Sequence, residues 1–225
     1  GQAIADRLRN DYLLVLGARH DWRGFDDQYK RFVLDDDTQV KCYALESRAA
    51  RGENVADAAR ALLVEPKYYG DACVDLITAL TVNQQFTSDD VWQQARLAFE
   101  QNYTTLGGKI VDALGPRPAG FDQATSAPPL YLARGVGADA ASHQLALIAL
   151  GRMARNDPDA AAGMLTSLAG SLTKREQAIA WGAIGYQAAI KRSALASDWY
   201  AKSANAPLSN PGYEWRTRAA LLADP

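Results

Sequence analysis

The chain is poor in the residues that do most of the chemistry in proteins. Its 225 residues hold two cysteines, two histidines and two methionines. His20 and His143 lie far in sequence from Cys42 and Cys73, and no CxxC spacing occurs. The ligand pattern of a structural zinc site is therefore missing, and neither a metal nor a cofactor is expected. Neither histidine carries a motif that would make it a catalytic base, so no Ser-His-Asp arrangement can be assigned and no catalytic residue is named. An excess of one charge is lacking too. Lys and Arg number 24 against 26 Asp and Glu, a net charge of −2, which leaves no electrostatic footprint for nucleic acid. No apolar run is as long as a membrane span, and no basic-plus-apolar leader stands at Gly1. If the protein is exported, its leader is expected to be absent from these residues.

What the chain does have is apolar bulk, 48 % of its residues, enough for a substantial core. Alanine dominates that bulk while Ile and Val are sparse, a bias towards closely packed helices and away from sheet. Cys42 to Cys73 reads as helix, Gly turn, helix, Pro break, helix. Val40, Tyr43, Ala44 and Ser47 share one stripe of the first helix, and Cys42, Leu45 and Ala49 an adjoining one. Gly52 stands where a tight turn needs positive φ. Asn54 can cap the second helix, whose Val55, Ala58, Ala59 and Leu62 are expected to face inward. Pro66 ends that helix, and the third is expected to open at Asp71. Two helices joined by a short turn form one unit of an α-solenoid, which needs neighbours to bury its apolar face.

Cys42 and Cys73 lie 31 residues apart, on helices that such stacking places side by side. They can be two buried thiols acting as small apolar groups, but the even count at this spacing favours a disulfide and an oxidising compartment.

Earlier in the chain, residues 3 to 19 form a helix with Ile4, Leu8, Tyr12 and Val15 at helical spacing. Trp22, Phe25, Tyr29 and Phe32 make an aromatic stripe that reads as core on a second helix. Asp35, Asp36 and Asp37 lack the alternation of a calcium loop and read as capping groups for the helix carrying Cys42. Thr87 to Asp90 starts another helix, Thr104 to Leu114 a shorter one, and residues 118 to 137 short helices. Gly135-Val136-Gly137 follows no strand and is not a phosphate loop.

From Ala138 the periodicity is regular. Leu145, Ile148, Ala149 and Met153 line one helix; Asp157-Pro158 opens the next, lined by Ala161, Met164, Leu165 and Leu168. Ala178 to Ile190 and Ala194 to Ala204 follow, with Trp181 and Trp199 as apolar fillers, and a last helix follows Asn210-Pro211. The turns in MARNDPDAAAGMLTSL and IKRSALASDWYAKSA are offset by roughly 36 residues, within the range of helix-pair repeats. The expected fold is all-α: a single α-superhelical domain over residues 1–225, built of stacked antiparallel helix pairs with degenerate tetratricopeptide-like repeats.

Asp21-Trp22-Arg23-Gly24, Gln39 to Tyr43, Gly52 and Asp71-Ala72-Cys73-Val74-Asp75-Leu76 resemble the superhelical, U-shaped domain of periplasmic soluble lytic murein transglycosylases. Met153 to Asp157, Ala160 to Leu168 and Gln177 to Trp181 resemble the same family further along. The resemblance implies a helical domain on which a separate lysozyme-like catalytic domain sits. That domain cleaves the MurNAc–GlcNAc bond of peptidoglycan without water, leaving a 1,6-anhydro product, and one glutamate serves as acid and then base. In the family a Glu-Ser pair precedes a Gly-Leu-Met-Gln segment. Here Glu46-Ser47 has no such segment after it and lies mid-helix, so it is read as coincidence. The expected role is thus non-catalytic, in the periplasm, with glycan strands, a C-terminal catalytic domain and other cell-wall proteins as partners. The alternative is a stand-alone helical-repeat adaptor for protein partners. Trp92, Trp199, Tyr200 and Trp215 could stack on sugars, with core the default for each, and no substrate-binding residue is assigned.

Overall fold

The computed structural model of the chain describes residues 1–34 and 36–223. Among these are fourteen α-helices and three short 3-10 turns, with no strand. The fold is the expected all-α one of stacked helix pairs. Its contacts divide the chain into two compact units: one of residues 1–98 and 105–115, the other of residues 99–104 and everything from Pro116 on.

The first unit is built on α1 (Gln2–Ala18), α2 (Trp22–Tyr29), α3 (Thr38–Ala50), α4 (Ala56–Leu62), α5 (Gly70–Val82), most of α6 (Ser88–Glu100) and most of α7 (Thr104–Val111). Helix α3 lies against α1, α2, α4 and α5. Its start is fixed by Asp37, whose Oδ1 accepts from the amides of Gln39 and Val40 while Oδ2 accepts from the side chain of Asn10 on α1. Of the other two acids in that run, Asp36 pairs with Arg7 and Asp35 lies outside the described residues. After α3 the chain turns at Gly52, with φ +89° as the tight turn requires. Asn54 accepts from the amide of Ala56, and Gln85, in the turn that follows α5, accepts from the amide of Val55. The core of this unit holds Leu13, Phe25, Val40, Leu63, Tyr69, Leu76, Ile77 and Leu80. Tyr69 is buried and donates to Gln94, whose amide in turn donates to the carbonyl of Leu63.

Several faces differ from the sequence expectation. On α1 the inward residues are Asp6, Asn10, Leu13, Leu16 and Gly17, whereas Ile4, Leu8, Tyr12 and Val15 are all exposed. The face that meets α3 is chosen by the Asn10–Asp37 hydrogen bond and by Leu13 and Leu16, not by the longest apolar stripe. On α4, Ala58 is exposed, and Ala56 and Leu63 join Val55 and Ala59 inside. Pro66 begins a 3-10 turn, Pro66–Tyr68, and α5 opens at Gly70, one residue before the expected Asp71. Helix α2 stops at Tyr29, so Phe32 extends the aromatic stripe from beyond its end, 6.2 Å from the Tyr29 ring.

The second unit contains α8 (Phe121–Ser126), α9 (Pro128–Ala133), α10 (Ala140–Asn156), α11 (Pro158–Leu168), α12 (Lys174–Ile190), α13 (Ala196–Ala201) and α14 (Asn210–Ala223). Helix α10 gathers α8, α9, α11 and α12, and α12 gathers α10, α11, α13 and α14. Asp157 caps α11 by accepting from Ala160, with Pro158 at the first helical position, where its missing N–H costs nothing. Thr173 and Glu176 form a reciprocal capping box at the start of α12. Leu145, Ile148, Leu150 and Leu165 are buried, while Met153, Met164 and Leu168 are half-buried. No helix is long and apolar enough to cross a membrane among the described residues.

Candidate functional site

The two cysteines are joined, Cys42 on α3 to Cys73 on α5, with their Cα atoms 5.1 Å apart. Both are fully buried. The bridge fastens together the two helices that carry the most unusual group of side chains in the first unit. Glu46 lies one turn after Cys42 on α3, and Asp75 two residues after Cys73 on α5. His20 meets both from the end of α1: its Nε2 is 2.5 Å from Asp75 Oδ2 and 3.3 Å from Glu46 Oε1.

His20 arrives there through the way α1 ends. The amide of His20 donates to the carbonyl of Gly17 and that of Asp21 to the carbonyl of Leu16, the paired bonds of a Schellman motif. His20 therefore takes the left-handed position of that motif, φ +56°, which usually falls to glycine. Holding an L-residue there costs roughly 1 kcal/mol, and such strain concentrates at functional positions. Asp21 then caps α2, its Oδ1 accepting from the amide of Gly24 at 3.0 Å. A Cβ on residue 24 would stand 2.6 Å from Asp21 Oδ2, so a side chain there would require the Asp21 carboxylate to shift. The same turn lays the Trp22 ring on the His20 ring, with centroids 5.1 Å apart and planes 18° apart. The Asp21-Trp22-Arg23-Gly24 element is thus a device that stops one helix, starts the next and presents an imidazole.

The electrostatics are set by burial. The Glu46 side chain is 5 % exposed, and its Oε2 has no hydrogen-bond partner. Burial, then the charge of Asp75 and the hydrogen bond with it, push the Glu46 carboxyl well above the usual carboxylate range. Burial and the charges of Asp75, Glu46 and Asp71 likewise push the Tyr43 hydroxyl up to about 12. Ser47, the other half of the Glu-Ser pair, faces elsewhere. Its hydroxyl donates to Asp26 Oδ1 at 2.7 Å and accepts from Arg51, which also bonds the other Asp26 oxygen. Ser47 ties α3 to α2.

This arrangement places an imidazole nitrogen and two carboxylate oxygens within 4.8 Å of one another, a set suited to sharing a proton or holding a cation. Sequence reasoning missed it. Glu46 was passed over with its serine, and His20 and Asp75 are 55 residues apart. The partial signal was the cysteine pair: once α3 and α5 are bridged, residues within a turn of each cysteine, such as Glu46 and Asp75, come close enough to meet. The other histidine, His143, has a structural role, its Nδ1 lying 2.8 Å from the capping-box Glu176. Among the aromatic side chains singled out for sugar stacking, Trp92, Trp199 and Tyr200 are buried. Trp215 is half-buried beneath the Arg218 guanidinium.

No family profile and no curated protein matches the sequence. Solved structures do match. A lytic transglycosylase Slt from Pseudomonas aeruginosa, in an inactivated form, superposes with a TM-score of 0.61 at 23 % identity, over 96 % of this chain and 36 % of that one. A 70-kDa soluble lytic transglycosylase in complex with bulgecin A superposes with a TM-score of 0.51 at 20 % identity, over 98 % of this chain and 35 % of that one. The chain spans about a third of the length of each. Nearly all of it therefore has the all-helical fold found in these soluble lytic transglycosylases.

Proposed function

We propose that residues 1–225 act as a single superhelical, non-catalytic domain of a soluble lytic murein transglycosylase. Its role is to support a C-terminal catalytic domain and to engage the glycan strands of peptidoglycan during cell-wall turnover. The observation that carries this reading is the match of nearly the whole chain to the helical fold of two lytic transglycosylases over about a third of their length. The buried disulfide supports an oxidising compartment, which for a peptidoglycan enzyme is the periplasm. Cleavage of the glycosidic bond needs a carboxylic acid beside a sugar-binding cleft. Glu46 is an acid of raised pKa, but it is buried against His20 and Asp75 in the interior of the helix stack. A binding domain of this kind contributes by raising the local concentration of a tethered active domain on its polymer. A second reading, a stand-alone adaptor for protein partners, is favoured by one observation, the exposed stripe of Ile4, Leu8, Tyr12 and Val15.

Sedimentation with purified sacculi, followed by chromatography of the digest, tests the proposal. The chain is expected to pellet with sacculi and to release no anhydro-muropeptides. Protein left wholly in the supernatant would refute glycan engagement and leave the adaptor reading. Anhydro products that vanish in Glu46→Gln would instead place catalysis in this chain.

A further inference from the structure

We propose that His20, Glu46 and Asp75 form a binding site for a single divalent first-row transition ion of the Zn2+ type. Three donors converge from three separate elements: the His20 imidazole from the end of α1, and carboxylates from α3 and α5. One nitrogen with two carboxylates is a donor set used for zinc, whereas calcium and magnesium take oxygen alone. At zinc distances of about 2.0–2.2 Å, tetrahedral ligands stand roughly 3.4 Å apart. The His20–Glu46 edge, 3.3 Å, already has that length. The His20–Asp75 edge, 2.5 Å, must open by somewhat under ~1 Å to admit the ion. His20 and Asp75 have side chains 51 % and 37 % exposed, so both can make that movement, and the ion can enter from their side.

A second, independent observation points to a missing ligand. Glu46 is 5 % exposed, and its Oε2 is buried without any hydrogen-bond partner. A buried carboxyl oxygen left unsatisfied is costly, and a cation bound there in exchange for the carboxyl proton, which leaves to solvent, would compensate it. The surroundings are prepared as well. Trp22 fixes the plane of the His20 ring, and the Cys42–Cys73 bridge fixes the spacing of the helices that carry the two carboxylates. Such outer support is what holds ligands in place for a metal.

The test uses the tag-free full chain, stripped with a chelator and titrated with Zn2+ by calorimetry, and with Co2+ as a spectroscopic substitute. One equivalent of Zn2+ is expected to bind, and at 100-fold excess over Kd the melting temperature should rise by roughly 5–10 °C. Mg2+ should give no such rise. Because the chain has two histidines, its imidazole proton resonances offer two reporters. Co2+ should shift those of His20 and leave those of His143 in place, a readout on unmutated protein. His20→Gln and Asp75→Asn should each weaken Zn2+ binding by about 10–100-fold or more, and His143→Gln should leave it unchanged. Absence of saturable Zn2+ binding up to about 1 mM would overturn the site. So would a Co2+ shift confined to His143, or undiminished binding in a folded His20→Gln variant.

Discussion

Replacing both Cys42 and Cys73 by serine removes a cross-link whose contribution can be worked out from the fold. The bridge spans 31 residues, and in the chain-entropy description a closed loop of that length stabilises the folded state by about 3.7 kcal/mol at 25 °C. For a chain of this size each kcal/mol moves the melting temperature by roughly 2–4 °C, so the double variant should melt roughly 7–15 °C below the oxidised protein. Helical content should barely change, because Leu76, Ile77 and Leu80 keep α5 buried without the bridge. Both cysteines are 0 % exposed, so a reductant added to native protein should act only through opening of the fold and be far slower than in denaturant. The assay is a thermal scan followed at the helical circular-dichroism band, beside intact mass after alkylation in denaturant without reductant. Two alkylated thiols in untreated protein, or melting curves that coincide for oxidised protein and the double variant, would refute the reasoning.

Two local predictions follow from the same unit. Gly24→Ala sets a methyl 2.6 Å from the Asp21 carboxylate, which must turn aside. The weakened α2 cap, offset in part by alanine's better helix propensity, should cost under about 1 kcal/mol, read as a slightly lower urea midpoint. Asp90 is held below its ordinary value of 3.8, chiefly by the hydrogen bond from Arg60, whose guanidinium also meets Asp57. A depressed folded pKa gives stability that is complete above the unfolded value and is lost as pH falls through the folded one. Asp90→Asn should therefore cost about 1 kcal/mol at pH 7, a figure already reduced for the partial exposure of Arg60. Its urea midpoint should converge on the wild-type value well below pH 4.

The sequence was most informative where local chemistry decides the structure. Gly52, Pro66 and Asp157-Pro158 mark breaks that need no tertiary knowledge, and Asp37 caps because a short oxygen side chain at that position satisfies free amides. The cysteine pair was legible because spacing and count constrain it. The inward face of α1 was not. Its most regular apolar stripe is exposed, and the buried side is set by Asn10 reaching Asp37, 27 residues later. The His20, Glu46 and Asp75 cluster was illegible for the same reason. No short-range pattern links residues 26 and 29 positions apart, and the left-handed backbone at His20 is a property of the helix end it closes. The Asp21-Trp22-Arg23-Gly24 element was recognised as a resemblance, but its physical meaning, a helix cap that Asp21 closes on the amide of Gly24, appears only in three dimensions.

The two-sided use of Asp37 has a consequence for how the protein breathes. One of its oxygens closes the first amides of α3, and the other is held by Asn10 in the middle of α1. If α1 peels away, Asp37 loses the group that orients it and α3 loses its cap in the same event. Since α3 is covalently tied to α5, the opening of α1 is coupled to both through Asp37 and the bridge. The three helices should open as one cooperative block, with the amides of Gln39 and Val40 exchanging their hydrogens at the same rate as those around Asn10.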